Sequence, residues 1–298
     1  MSDNYCIFQV QGGLGKHVVS TAVAQVIKRT YPERKLIVIA AWPEIFTNLP
    51  FVDRVYQLGN TQYFYDDYVK GRDSKFFIQE PYFVDSHINK KLPLVESWCK
   101  LYNLEFQGET PVVKINPQQR SAISDFYKSE KPVMLIQTGG GMYTSERPYS
   151  WARDMPQDVA QKVVNHFSRK YQILQITRAK GYKLNNVTVQ DRKISNIELI
   201  GLLECTSKRL LIDSCLQHAA AALNLPSTVL WQATSPVIFG HSLHNNISAK
   251  PKENERLPWS VFFDYQFDQN DQEFPYDEED LKDMYNIDEI IASLETQG

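Results

Sequence analysis

Two short stretches hold the side chains best suited to chemistry. Residues 8–21 read FQVQGGLGKHVVST: an apolar run, then Gly12, Gly13 and Gly15, then Lys16, His17 and the opening of a helix. Residues 210–236 read LLIDSCLQHAAAALNLPSTVLWQATSP, in which an apolar run ends at Asp213, Ser214 follows, and His218 stands four residues on. Glycines let backbone N–H groups approach a ligand, and a helix N-terminus favours negative charge. A hydroxyl and an imidazole on one helical edge, beside that positive end, make a cradle for pyrophosphate. The structural alternative is that Asp213 and Ser214 cap a helix and that His218 packs in the core.

The elements that must position these residues are those of an α/β protein. Continuous apolar runs at 5–10, 35–40, 75–80, 111–116, 133–138, 172–177, 209–213 and 227–231 predict strands. Unbroken runs of this kind suit parallel sheets covered on both faces. Val18, Val19, Ala22, Val23, Val26 and Ile27 form one helical stripe ending near Pro32, and further helices are expected at 156–169, 195–205 and 214–223. The 298 residues suit two domains at about 150 residues each. The expected division is 1–127 on the acceptor side, 128–263 for the donor, and an acidic tail over 264–298. The short helix NIDEIIASLE in that tail is expected to dock back on the first domain. The fold class expected is two doubly wound, Rossmann-like domains facing a cleft.

Charge is unevenly shared. Residues 264–298 carry twelve acids and one lysine, a net of −11, which leaves +8 on the rest of the chain. A mildly basic body suits an anionic ligand. No basic segment followed by a long apolar stretch opens the chain, and LIVIAAW at 36–42 is far short of a membrane span. Four scattered cysteines without a C-x-x-C pair suit reduced thiols and a cytoplasmic location.

The glycine loop admits three readings. A dinucleotide fingerprint lacks its third glycine, because Val18 stands there. A partitioning-type ATPase loop needs a hydroxyl after the lysine and a lysine at its head, but His17 and Gln11 occupy those places. The third reading is a strand-to-helix turn beside a cleft, holding the phosphates of a nucleotide.

Asp213, Ser214, His218, the alanines at 219–222, Pro226 and VLWQATSP fit, in order, the donor-domain signature D-[ST]-G-x-x-H of the heptosyltransferases. The chain thus resembles that family of inverting, metal-independent glycosyltransferases of the GT-B fold, which take ADP-sugar donors. Cys215 departs from the family's glycine. Upstream, Arg153-Asp154-Met155-Pro156 resembles the K-x-W-P helix start, with Arg153 in place of the phosphate-binding lysine. Arg147 is a second cation candidate. The likeness implies that Thr138 and Gly139 lie beside the donor and that Ile194 approaches the base. Gly13 and Gly15 belong to an opening that resembles the family's N-terminus. The resemblance covers roughly 1–60 and 132–250.

Lys16 stands where the family has the aspartate that deprotonates the acceptor. An ammonium with an ordinary pKa of about 10.4 is a poor base. It suits a cation facing the leaving diphosphate, as in the similar GGLG-[NK] loop of some fucosyltransferases. His17 is then the base candidate, with Asp85 and His87 as others. No D-x-D follows an apolar strand, DEED at 277–280 lies in the acidic tail, and His241 with His244 read as a polar loop, so neither metal nor cofactor is expected. The resemblance implies transfer from a nucleotide-diphosphate sugar to a hydroxyl of a glycan. A hydroxylated DNA base as acceptor, a non-catalytic sugar-nucleotide binder and a P-loop ATPase are the alternatives, and sequence leaves sugar, nucleotide, acceptor and oligomeric state open.

Overall fold

The computed structural model describes residues 4–89, 91–141, 153–190, 192–232, 234–250 and 283–297. Arg147 lies outside them, as do 264–282 of the acidic tail.

Two parallel sheets carry the fold. The first joins β1 (Asn4–Val10), β2 (Lys35–Ala40), β3 (Arg54–Gln57) and β4 (Asp73–Phe77) in the order β3-β2-β1-β4. The second joins β5 (Val133–Gln137), β6 (Gln172–Ile176), β7 (Thr188–Val189), β8 (Lys208–Ile212), β9 (Thr228–Trp231) and β10 (Asn245–Ser248) in the order β10-β9-β8-β5-β6-β7. All pairings are parallel. In each sheet the chain winds outward from its first strand, then returns to the other side of it. Each sheet therefore opens a crevice at the carboxyl ends of two neighbours, β1 with β4 and β5 with β8. Open α/β sheets bind ligands at such points.

The helices are α1 (Leu14–Thr30), α2 (Phe64–Tyr68), α3 (Asp85–Ile88), α4 (Leu94–Leu101), α5 (Pro117–Phe126), α6 (Gln157–Phe167), α7 (Asn196–Gly201), α8 (Cys215–Ala222), α9 (Pro236–Phe239) and α10 (Ile287–Glu295). One buried cluster runs through both sheets: Phe8, Val18, Val23 and Trp98 from the first half meet Leu135, Leu211, Leu216 and Trp231 from the second. α1 and α8 share this layer, each giving a small or apolar stripe to the other. A second cluster lines the far face of the second sheet under α6, and a smaller, tyrosine-rich one lies between the first sheet and α2.

The strand expectations hold except at 75–80, where the strand runs from Asp73 to Phe77 and leaves 78–80 outside the sheet, and at 111–116. There Val113 and Ile115 are buried, yet the segment lies along α1 rather than in a sheet, its Val112 N–H donating to Thr21 Oγ1 at 2.8 Å. The short strands β3, β7 and β10 have too little apolar content to declare themselves. α5 was expected inside the first unit. It packs instead on α7 and the 3₁₀ turn Leu202–Cys205 of the second, where Arg120 holds Glu204 at 2.7 and 3.0 Å.

The tail helix corrects another expectation. α10 docks on the second sheet: Ile290 and Leu294 enter the cluster of Met134, Ile136 and Val163. Asn286 caps its first turn, accepting from the Asp288 and Glu289 N–H groups at 3.1 and 3.4 Å. At the other end Lys208 Nζ donates to the carbonyls of Leu294 and Gln297 at 2.7 and 3.0 Å, a cation where the helix dipole is negative. Leu294→Ala should lower the unfolding free energy of the second half by about 2–5 kcal/mol, read from urea midpoints. An unchanged midpoint would mean that α10 is not seated there.

Candidate functional site

β1 ends at Val10, and the chain turns through Gly12, whose φ of +96° suits only glycine well. Gly13 is the N-cap residue of α1 and brings no capping side chain; the first turn holds no acid, while Lys28 and Arg29 sit in the last. α8 starts in the same way. Ser214 occupies its N-cap position, but its hydroxyl accepts no backbone N–H, and the first turn again lacks an acid. The alternative in which the Ser214 side chain caps this helix is not what the structure shows.

These two helix starts meet. A Cβ on Gly15 would lie 3.1 Å from Cδ2 of His218 and 3.2 Å from Cα of Cys215. Gly15 thus serves close approach between the two halves. The contact is extended by Asn196, whose side-chain N–H donates to Glu44 Oε1 at 2.7 Å, and by His87, whose ring lies 5.8 Å from that of Phe239.

Around β5 and β8, Asp154 organises the backbone. One carboxylate oxygen accepts the Gly140 N–H at 3.1 Å, and the other pairs with Arg178, whose Nη1 donates to the Gly140 carbonyl at 3.0 Å. The Asp154 carbonyl accepts from Gln232 Nε2 at 2.6 Å. Gly140 then lies against Ser214: a Cβ there would be 3.4 Å from the serine hydroxyl. Arg153, 40% exposed along its side chain, lies 3.6 Å through Nε from the buried carboxylate of Asp213. Asp213, Ser214, Arg153 and His218 are therefore brought to one place. Asp154, Arg178 and Gln232 went unread because each acts through backbone groups far away in sequence.

Other expected residues have different roles. Thr138 is buried and its hydroxyl takes the Gln175 amide at 2.7 Å, so it braces the turn. Gly139 is buried against Thr177, leaving Gly140 as the glycine beside Ser214. Ile194 lies half-buried in the turn ahead of α7.

His17, the base candidate, is engaged by backbone groups. Its ring is fully buried, with Nδ1 2.9 Å from the Gly13 carbonyl and Nε2 3.2 Å from the Val10 carbonyl and 3.1 Å from the Ala41 N–H. Burial pushes its pKa down. Each nitrogen has a backbone partner, so the ring stitches β1, α1 and β2 together. Lys16, expected to face the leaving diphosphate, is paired within the protein. Its ammonium folds over Gly12 onto Glu80 and lies 4.8 Å from the centre of the Tyr82 ring. Burial lowers its pKa while Glu80 opposes the shift. Asp85 is tied to Lys91 and Asn89. His87 is buried with both nitrogens unpartnered, which holds its pKa near 4.

Glu80 itself was not read from the sequence. The carbonyl of Gln79 accepts from Trp98 Nε1 at 3.1 Å and Tyr102 OH at 2.6 Å, which fixes the backbone that presents Glu80. It stands after β4, at the crevice beside β1, with a side chain 26% exposed. Among the described residues no three His, Cys, Asp or Glu are grouped to hold a metal ion. Nor is any described helix long and apolar enough to cross a membrane.

No protein-family model matches the chain, and no curated protein matches it in sequence. Solved structures do. Heptosyltransferase II of E. coli superposes with a TM-score of 0.64 at 15% identity, over 86% of this chain and 93% of that one. A glycosyl transferase family 9 protein from Veillonella parvula gives 0.69 at 11% identity, over 100% and 98%. E. coli heptosyltransferase WaaC with ADP gives 0.53 at 13%, over 88% and 98%. The fold is that of the heptosyltransferases. The likeness spans both sheets of this GT-B arrangement.

His87 gives this interface a pH dependence. Between its ordinary 6.5 and about 4, the unfolded chain binds a proton that the folded ring refuses, so stability falls as pH drops through that window. Between pH 7 and about 4.5, His87→Phe should lose less stability than the parent by on the order of 2 kcal/mol. Equal losses in both proteins would show that the ring is not held neutral.

Proposed function

We propose that the chain is a glycosyltransferase that moves a sugar from a nucleoside-diphosphate sugar to a hydroxyl acceptor, with inversion and without a metal ion. The observation that carries the reading is the start of α8. Its amides lack a side-chain cap and its first turn lacks an acid, yet it opens at the β5–β8 crevice beside Ser214 and Arg153. Such an end is completed by an anion. A guanidinium beside it can take phosphate oxygens in bidentate fashion. Among the neighbours, WaaC was solved with ADP and the heptosyltransferase TibC with ADP-D-β-D-heptose. That favours a nucleoside diphosphate here, and ADP first among the choices.

In this reading the acceptor oxygen attacks the anomeric carbon on the face opposite the diphosphate. The new C–O bond forms as the bond to the phosphate oxygen breaks, and the electron pair leaves with the diphosphate. Arg153, the Ser214 hydroxyl and the α8 amides meet that developing charge. The acceptor proton goes to Glu80. Lys16 holds Oε1 of Glu80, and the pair supplies a carboxylate at the crevice where the lysine stands in place of the family's aspartate. A glycan hydroxyl is the acceptor class, seated on the first-sheet side.

A thermal-shift panel of ADP, GDP, UDP and CMP, with their sugars, tests the reading. One of them at 100 times its Kd should stabilise by about 2.7 kcal/mol, and Arg153→Ala should abolish the shift. Glu80→Gln should keep the shift but slow release of the nucleoside diphosphate from the sugar by about 10²–10⁴-fold. No shift with any nucleotide would remove the function; a Glu80→Gln protein as fast as the parent would remove only the base.

A further inference from the structure

The loop after α9 carries two histidines, His241 and His244, that the proposed chemistry does not use. His244 Nε2 lies 2.8 Å from the Gln217 carbonyl, so that nitrogen bears the proton and the ring is pinned against α8. His241 meets His244 edge-on, ring centres 5.8 Å apart. On its other side, His241 Nε2 lies 2.9 Å from Nδ1 of His218, the rings nearly perpendicular. The Gln217 amide nitrogen is 3.0 Å from both nitrogens of His218. Equal distances put it over the ring face rather than on either lone pair, which leaves His241 as the in-plane partner of Nδ1. His218 is buried, and its Cδ2 edge faces Gly15 where the two helix starts meet.

Burial, and for His218 the neighbouring histidines and Arg153, keep these rings neutral. Two neutral imidazoles joined nitrogen to nitrogen share one proton, so the state of one fixes the other. If His218 donated, its Nε2 would present a lone pair to a bound diphosphate, and the two would repel. If His241 donates, Nε2 of His218 carries the proton and becomes a donor.

We propose that His241 is a positioning residue: its Nε2–H holds His218 in the tautomer protonated at Nε2, aimed as a hydrogen-bond donor at the anion seated on α8. The anion, and with it the choice of tautomer, rests on the function proposed above; the nitrogen-to-nitrogen contact of His241 with His218 does not. Nothing in the family signature that the sequence resembles includes this second histidine.

Nitrogen-15 spectra of the ligand-free full chain, labelled at histidine, test it. The His218 signals are assigned by their loss in His218→Gln. The proposal expects a single His218 tautomer with the proton on Nε2. His241→Phe, similar in shape without a donor, should give mixed tautomers and about tenfold weaker binding of inorganic pyrophosphate, a loss seen when orienting partners of ligand histidines are removed. His241→Gln, whose amide can donate to Nδ1, should restore both. A proton on Nδ1 of His218 in the parent, or an unchanged tautomer in His241→Phe, overturns the proposal. Should the phenylalanine variant fail to fold, the parent spectrum alone decides. A parent with the expected tautomer that binds no nucleotide would refute the function and leave this assignment standing.

Discussion

The structure depends on two helix starts brought together at Gly15. Each carries about half a positive charge, and neither brings an acid in its first turn or a capping side chain to offset it. Placed side by side they repel. What holds them is the apolar flank behind, where Val18, Val19 and Ala22 of α1 share a buried layer with Leu216, Ala219 and Ala220 of α8. What offsets them comes from other elements: Glu44, Glu80 and Asp213 stand around the junction, each already engaged by Asn196, Lys16 or Arg153. The residual field favours an anion, and the glycine makes the approach possible.

From that junction the two halves divide the work. The second sheet is built for rigidity: Asp154 gathers Gly140, Arg178 and Gln232, so the backbone beside Ser214 is set before any ligand arrives. Preorganised donors of this kind need little rearrangement when charge develops. The first sheet contributes one carboxylate on a fixed backbone, with a lysine turned toward it. A lysine at a glycine-rich turn invites a phosphate role. Here it lies against Tyr82 and is paired with Glu80.

Much of the fold was legible because parallel strands buried on both faces leave continuous apolar runs, and α1 writes its stripe at helical spacing. The segment 111–116 has the same texture but lies on a helix, since local sequence cannot say which surface an extended segment will meet. The grouping of candidate residues was legible where they are also close in sequence, as at Asp213, Ser214 and His218. Depth was not. His17 and Thr138 have the right chemistry, but His17 is consumed by backbone partners and Thr138 by the Gln175 side chain. Glu80 stayed hidden because its meaning comes from Lys16, 64 positions away, and from a carbonyl clamp supplied by α4 and Tyr102. His241 looked like a loop residue until α8 placed His218 against it.

A crystal structure of the full chain with ADP, grown with magnesium present, tests the central claim most directly. The diphosphate should lie against the amides that open α8, with Arg153 and Ser214 within hydrogen-bond distance and Lys16 still on Glu80. A diphosphate wrapped by the Gly12–Gly15 turn, with Lys16 drawn off Glu80 onto it and magnesium alongside, would contradict the claim.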